Sequence, residues 1–283
     1  MNVRTTSVLL EDLAFPEGPR WHEGRLFFSD QHDYRVKAVD PSGKVETIVE
    51  VPEQPSGLGW LPDGRMLVVS MLDRRVLRLE NGALVEHADL SALATGACND
   101  MVVDTHGRAY VGNFGFDMYG GEAPRDAAII LVQPDGTARV AADGLGFPNG
   151  TVITDGGFVL IVGESMNGRL TAFTVTGDGA LVARREFAQL QGAVPDGICL
   201  DAEGAIWSAC PFSGRVLRVK EGGEVLDEVK VTHEGAFACM LGGDDRRTLF
   251  ICTAPGHVPE ECRKARAGRI ETVQVDVPGA GLP

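Results

Sequence analysis

One short motif recurs six times along this chain. It reads Pro16-Glu17-Gly18, Pro55-Ser56-Gly57, Cys98-Asn99-Asp100, Pro148-Asn149-Gly150, Pro195-Asp196-Gly197 and, in degenerate form, Ala236-Phe237-Ala238, at spacings of 39, 43, 50, 47 and 41 residues. Seven to ten residues after each middle residue comes a polar turn followed by an apolar run, such as Gly64-Arg65-Met66-Leu67-Val68 or Gly204-Ala205-Ile206-Trp207-Ser208. A third landmark is a short strand-like run, as in Arg75-Val76-Leu77-Arg78-Leu79 or Arg215-Val216-Leu217-Arg218-Val219, and units one to five carry a fourth. Four short strands in each repeat of about 40 residues is the pattern of a propeller blade. The sequence predicts an all-β, six-bladed β-propeller with four antiparallel strands per blade and innermost strands starting near residues 17, 56, 99, 149, 196 and 237. The sixth unit shows three landmarks, and Thr6–Glu11, ahead of the first unit, is read as its fourth strand, pairing with residues 268–275 to close the ring. No linker or composition shift divides the chain, so residues 1–283 are read as one domain.

Composition narrows the partners. Thirty-six glycines with only 6% aromatic residues suit a turn-rich β protein. A net charge of −14 argues against nucleic acid, whose phosphates need a basic face, and against anionic membranes, and it favours cationic ligands. No apolar run has the length of a membrane helix, and the first residues lack a secretory h-region. Cys98, Cys199, Cys210, Cys239, Cys252 and Cys262 form no CxxC pair and are expected as reduced, mostly buried thiols of a cytoplasmic protein.

A meander alternates strand direction, so the motif, the end of the second strand and the loop after it share one face. The middle residues Glu17, Ser56, Asn99, Asn149, Asp196 and Phe237 occupy equivalent positions round the axis and should converge at one mouth of the channel. Singly, each motif reads as a turn. Together, two carboxylates and two carboxamides make an all-oxygen set suited to a hard divalent cation, and two uncompensated carboxylates would repel. Glu17, Asn149, Asp196 and Asn99 are therefore the expected metal ligands. Ca²⁺ comes first among the ions, with Mg²⁺, Mn²⁺, Zn²⁺ and Fe²⁺ as alternatives.

These motifs carry a resemblance. Phe15-Pro16-Glu17-Gly18-Pro19 with Trp21, then Cys98-Asn99-Asp100, Phe147-Pro148-Asn149-Gly150 and Pro195-Asp196-Gly197, resemble in order the signatures of the family that includes regucalcin, gluconolactonase and the luciferin-regenerating enzyme. The resemblance implies a six-bladed propeller with one divalent metal. It implies direct metal contact for Glu17, Asn149 and Asp196, a place beside the metal for Asn99, and a base role for Asp196. Sugar lactonases of the family carry an Arg where this chain has Ala97, and an acidic residue where Phe116 aligns.

The long segment Gly112–Asp126 follows the second strand of the third blade and falls on the metal face. Phe114, Phe116, Met118 and Tyr119 are expected at a substrate pocket with Phe237, Met71 and Glu164; Phe212 and His257 face the same mouth as rim residues. The other histidines, His22, His32, His87, His106 and His233, read as surface or turn residues, and the stretch 262–268 reads as a solvated basic loop. No Gly-x-Ser-x-Gly elbow occurs. The expected activity is metal-dependent hydrolysis of a small, rather apolar lactone or ester. Asp196 and Asn99 are the catalytic candidates, with Asp196 as general base; attack by Asp196 itself, or by a water that the cation activates, is an alternative. A sugar lactonase, a phosphotriester hydrolase, a non-hydrolytic propeller enzyme and a non-catalytic metal-binding propeller are alternatives to this reading. The expected partner is a small-molecule substrate, and the expected state a monomer or small homo-oligomer.

Overall fold

The computed structural model describes residues 4–154 and 156–280. Six four-stranded antiparallel sheets follow one another round an axis. The innermost strands are Pro16–His22, Pro55–Trp60, Cys98–Val103, Pro148–Ile153, Ile198–Leu200 and Gly235–Gly242. Each touches the next, and the last touches the first, so the ring is closed. The strand Ser7–Leu13 completes the sixth blade as its outermost member, pairing antiparallel with Gly268–Gln274 at Ser7↔Thr272, Val8↔Glu271, Leu10↔Ile270 and Leu13↔Gly268. That closure hides an edge that would otherwise be free to pair with another chain. The fully buried Glu271 carboxylate ties the seam, accepting Thr6, Thr232 and Thr253 hydroxyls.

The recurring motif is a β-bulge rather than a turn. Register shifts fall between Glu17 and Arg20, Pro55 and Leu58, Cys98 and Met101, Pro148 and Thr151, and Ala236 and Ala238. A bulge re-aims side chains at a strand rim, which is how the middle residues come to point along the axis. The glycine beside them answers to packing. A Cβ on Gly57 would sit 2.4 Å from Met101 N, and one on Gly150 would sit 2.4 Å from Ile198 N. In the fifth blade the bend is deeper. Asp196 and Gly197 precede the strand instead of starting it, bonding to Ala209 O and Phe237 O through their amides.

Apolar side chains fill the spaces between neighbouring blades. Val102, Tyr110 and Leu131 of the third blade pack with Ile153, Leu160 and Phe173 of the fourth. All six cysteines are free and buried. Two expectations need correcting. Residues 259–265 form a short helix rather than a loop, with Cys262 buried against Phe15, Phe237 and Ala254, while Arg263, Lys264 and Arg266 are exposed to solvent as expected. His32 and His87 are buried, because His32 stacks on Phe15 at 4.9 Å and His87 takes Arg78 at 2.9 Å.

Glu164 is a third correction. It ends the second strand of the fourth blade but turns into the protein, fully buried, and does not face the mouth. Its carboxylate accepts Gly146 N, Asn167, Arg169, Thr171 and Arg184. Burial alone would raise its pKa, but these donors outweigh it and bring the group down to about 2 from 4.5. The folded state therefore favours the anion. The resulting stability is present above the unfolded value and drains away as pH falls through 4.5 toward 2. Glu164→Gln should cost about 3 kcal/mol in urea unfolding at pH 7, with a gap to wild type that narrows below pH 4.5. A gap constant from pH 7 to pH 3 would contradict the assignment.

Candidate metal centre and active site

The bulges at Glu17, Asn99 and Asn149, and the bend ahead of the fifth innermost strand at Asp196, bring these four residues to the floor of one cavity of about 380 Å³. Asp196 is buried, and Glu17 keeps part of its surface open to the cavity. Burial pushes the Glu17 carboxyl up to about 8, with Asp100 adding repulsion against the opposing Gly18 amide and Arg20. Asp196 is driven well above the carboxylate range by burial and then by Glu17, which Asn149 offsets in part. Among the described residues no lysine or arginine lines this cavity. Arg20, whose charge acts on Glu17, is directed to Asp100 at 2.6 Å and to Met101 O at 2.6 Å. The floor is thus a pair of acids that lack a positive partner, flanked by two amide side chains. Among the described residues no three His, Cys, Asp or Glu side chains cluster to hold a metal, so a cation here would need the Asn oxygens as well. Two acids and two neutral oxygens match a hard divalent ion in charge and type.

Neighbours orient the amides. Gln31 Nε2 donates to Ser56 Oγ at 3.2 Å, and Ser56 Oγ donates to Asn99 Oδ1 at 3.3 Å. Asn149 Nδ2 donates to Ser165 Oγ at 3.2 Å, and Ser165 donates on to Pro195 O at 2.7 Å. The ring position Ser56 therefore supports Asn99, and Phe237 forms wall, meeting Phe15 edge-on at 4.7 Å.

Phe114, Met118 and Tyr119 from the long third-blade loop line the cavity, as does Phe237. Phe116 and Met71 do not. Both line a neighbouring cavity of about 350 Å³, together with Ala97, and Phe114, Met118 and Tyr119 form the partition between the two. Phe114 stacks on Phe147 at 4.4 Å, and Phe116 lies behind them, 6.1 Å from Phe147 and edge-on to it. Sequence reasoning missed one regular wall position. Phe15, Phe147 and Val194 each stand immediately before a motif proline and line the central cavity. Gln54 and Ala97, the equivalents in the second and third blades, line its neighbour. The motif spacing carried that signal. Met166 and Pro211, in loops after second strands, were also missed.

An apolar collar rims the mouth. Tyr119, Met166 and Phe212 are 50%, 53% and 70% exposed, and Phe212 meets the His257 ring edge-on at 5.7 Å. The backbone of His257 is pinned, since its carbonyl accepts His32 Nε2 at 3.2 Å and Tyr119 OH at 3.4 Å. A carbonyl only accepts, so His32 carries its proton on Nε2 and leaves Nδ1 to accept Gln54 Nε2 at 3.3 Å. Burial holds His32 down at about 4, and burial pushes the Tyr119 phenol up to about 12.

Comparison with known proteins places this geometry in a family. Residues 15–255 match the SMP-30/Gluconolactonase/LRE-like region. The chain is 29% identical to a 6-deoxy-6-sulfogluconolactonase of Pseudomonas putida over 100% of this chain and 99% of the relative. It is also 29% identical to the pentonolactonase XacC of Haloferax volcanii over 89% and 85%. The calcium-binding protein regucalcin of Agrobacterium tumefaciens shares the fold with a TM-score of 0.83 at 20% identity, covering 100% and 99% of the two chains. The luciferin-regenerating enzyme does so with a TM-score of 0.83 at 17% identity, covering 99% and 98%. The chain belongs to the SMP-30/gluconolactonase/LRE-like family.

Proposed function

We propose that this protein is a divalent-cation-dependent lactonase whose substrate carries an alkyl or aryl group in place of a sugar's hydroxyls. The observation that carries the reading is the paired acids Glu17 and Asp196, set beside Asn99 and Asn149 on a cavity floor that no lysine or arginine among the described residues lines. Curated relatives named as lactonases support the hydrolytic part. Glu17, Asn149 and Asp196 would hold the ion, with Asn99 as fourth ligand or neighbour, and Ca²⁺ is the first candidate. A bound divalent cation supplies Lewis-acid polarisation of the lactone carbonyl. Asp196 accepts a proton from the attacking water. Asn99, fixed through Ser56 and Gln31, orients the carbonyl end of the substrate.

The walls set the preference. Phe15, Phe114, Met118, Phe147, Val194 and Phe212 present apolar surface to whatever enters, worth about 25 cal/mol per Å² buried. The Gln31, Asn149 and Ser165 donors are directed at neighbouring protein groups. A polyol would leave hydroxyls without partners, at about 1–3 kcal/mol each. Ala97 and Phe116, which replace the arginine and the acidic residue of the family's sugar lactonases, lie in the adjoining cavity, whose charged groups Arg74, Asp117 and Glu122 are separated from the central cavity by Phe114, Met118 and Tyr119.

Two experiments test this reading. In calorimetric titration with Ca²⁺ and Mn²⁺, Glu17→Gln and Asp196→Asn should each weaken binding at least tenfold, about 1.4 kcal/mol; wild-type affinity in both variants would remove these ligands. With the metal-loaded protein, kcat/KM for a γ-alkyl lactone and for dihydrocoumarin should exceed that for gluconolactone by tenfold or more after subtraction of spontaneous hydrolysis. Phe212→Ala should erode that advantage. A clear lead for gluconolactone would show that the walls were misread.

A further inference from the structure

Opening a lactone requires a proton as well as a nucleophile. When the tetrahedral carbon expels the ring oxygen, an alkoxide leaves, and it needs a general acid within reach whose pKa lies near the working pH. Four titratable side chains line the central cavity: Glu17, Asp196, Tyr119 and His257. Of the two acids on the floor, both ionised when engaged with a cation, Asp196 is already assigned the proton of the attacking water and Glu17 is assigned to the cation. The Tyr119 hydroxyl is turned away, donating to His257 O. His32 lies nearby but has both ring nitrogens committed, to His257 O and Gln54.

His257 differs from each of them. It sits on the loop after the second strand Thr248–Ala254 of the sixth blade, at the same mouth as the floor acids. Its main chain is held from the first blade by His32 and from the third-blade loop by Tyr119. Its ring, half-buried, meets the Phe212 ring edge to face, and among the described residues none forms a hydrogen bond to it. Among the described residues it is the only histidine lining this cavity, and histidine is the side chain that ordinarily exchanges its proton near neutrality. A pinned backbone under a ring left free of protein partners is the arrangement of a group that meets substrate.

We propose that His257 is the general acid of the reaction, protonating the ring oxygen as it departs. The inference rests on the lactonase reading above. The step balances. Water adds its oxygen to the carbonyl carbon and gives one proton to Asp196. The carbon–ring-oxygen bond breaks with its electron pair on oxygen, and the His257 imidazolium supplies the proton that makes it a hydroxyl. Asp196 then releases its proton to solvent, imidazole takes one up, and the product is the hydroxy acid.

Leaving-group dependence tests the assignment, because a merely structural role would affect all substrates alike. An alkyl lactone expels an alkoxide that needs a proton, whereas dihydrocoumarin expels a phenoxide that leaves without one. His257→Phe keeps a ring against Phe212, and His257→Asn provides a second, smaller variant; thermal melts confirm the fold of both. Each should lose about 100-fold or more in kcat/KM on a δ-alkyl lactone and less than about fivefold on dihydrocoumarin. Equal losses on the two lactones, or no loss in either variant, would overturn the role of His257 while leaving the lactonase reading intact. Failure of the metal-loaded wild type to open any lactone would overturn both.

Discussion

The structure depends on how closely six innermost strands approach one another round the axis. Gly57 and Gly150 stand where a single added carbon would come within 2.4 Å of the next blade's backbone. At that distance the strands cannot run on in plain pleated register, and each of the five with a register shift bulges at its motif. The bulge turns the middle residue of the motif toward the axis. One packing constraint thus produces both the tight ring and the convergence of polar side chains at its mouth.

That convergence has an electrostatic cost which the fold itself leaves unmet. Glu17 and Asp196 both titrate above their ordinary range, burial being the first cause in each. Elsewhere the molecule compensates buried acids within the protein: Glu164 has Arg169 and Arg184, Asp104 has Arg108, and Asp201 has Arg218. Buried Glu271, which has no arginine either, is held by the Thr6, Thr232 and Thr253 hydroxyls and the Thr232 amide, whereas the acids on the floor of the cavity are flanked by amides and aromatic rings. The contrast within one chain separates anions that stabilise the fold from anions arranged for an external cation.

The blades and the floor were legible in the sequence because both derive from an interval. Spacings of 39 to 50 residues disclosed the units, and equivalent positions within a closed ring had to meet. The closing strand was legible for the same reason, since one unit lacked a member. Side chains whose direction depends on local turns were not. Glu164 and Met71 end second strands on the expected face, yet both turn inward, to arginines and to the core. Phe116 lies in the expected loop but behind Phe147. The buried state of His32 could not be read either, since it comes from contacts with Phe15 and His257, distant in the chain. The wall position before each motif proline was within reach of the repeat and went unread.

The account stands on the floor residues holding a divalent ion. Its most direct test is anomalous diffraction from crystals soaked in Mn²⁺, recorded on both sides of the manganese edge. One strong peak should appear on the cavity floor within about 2.0–2.6 Å of carboxylate oxygens of Glu17 and Asp196 and of the Asn149 side chain, the range of hard divalent ions on oxygen ligands. A peak elsewhere on the molecule, or a floor that stays empty at saturating Mn²⁺, would contradict it.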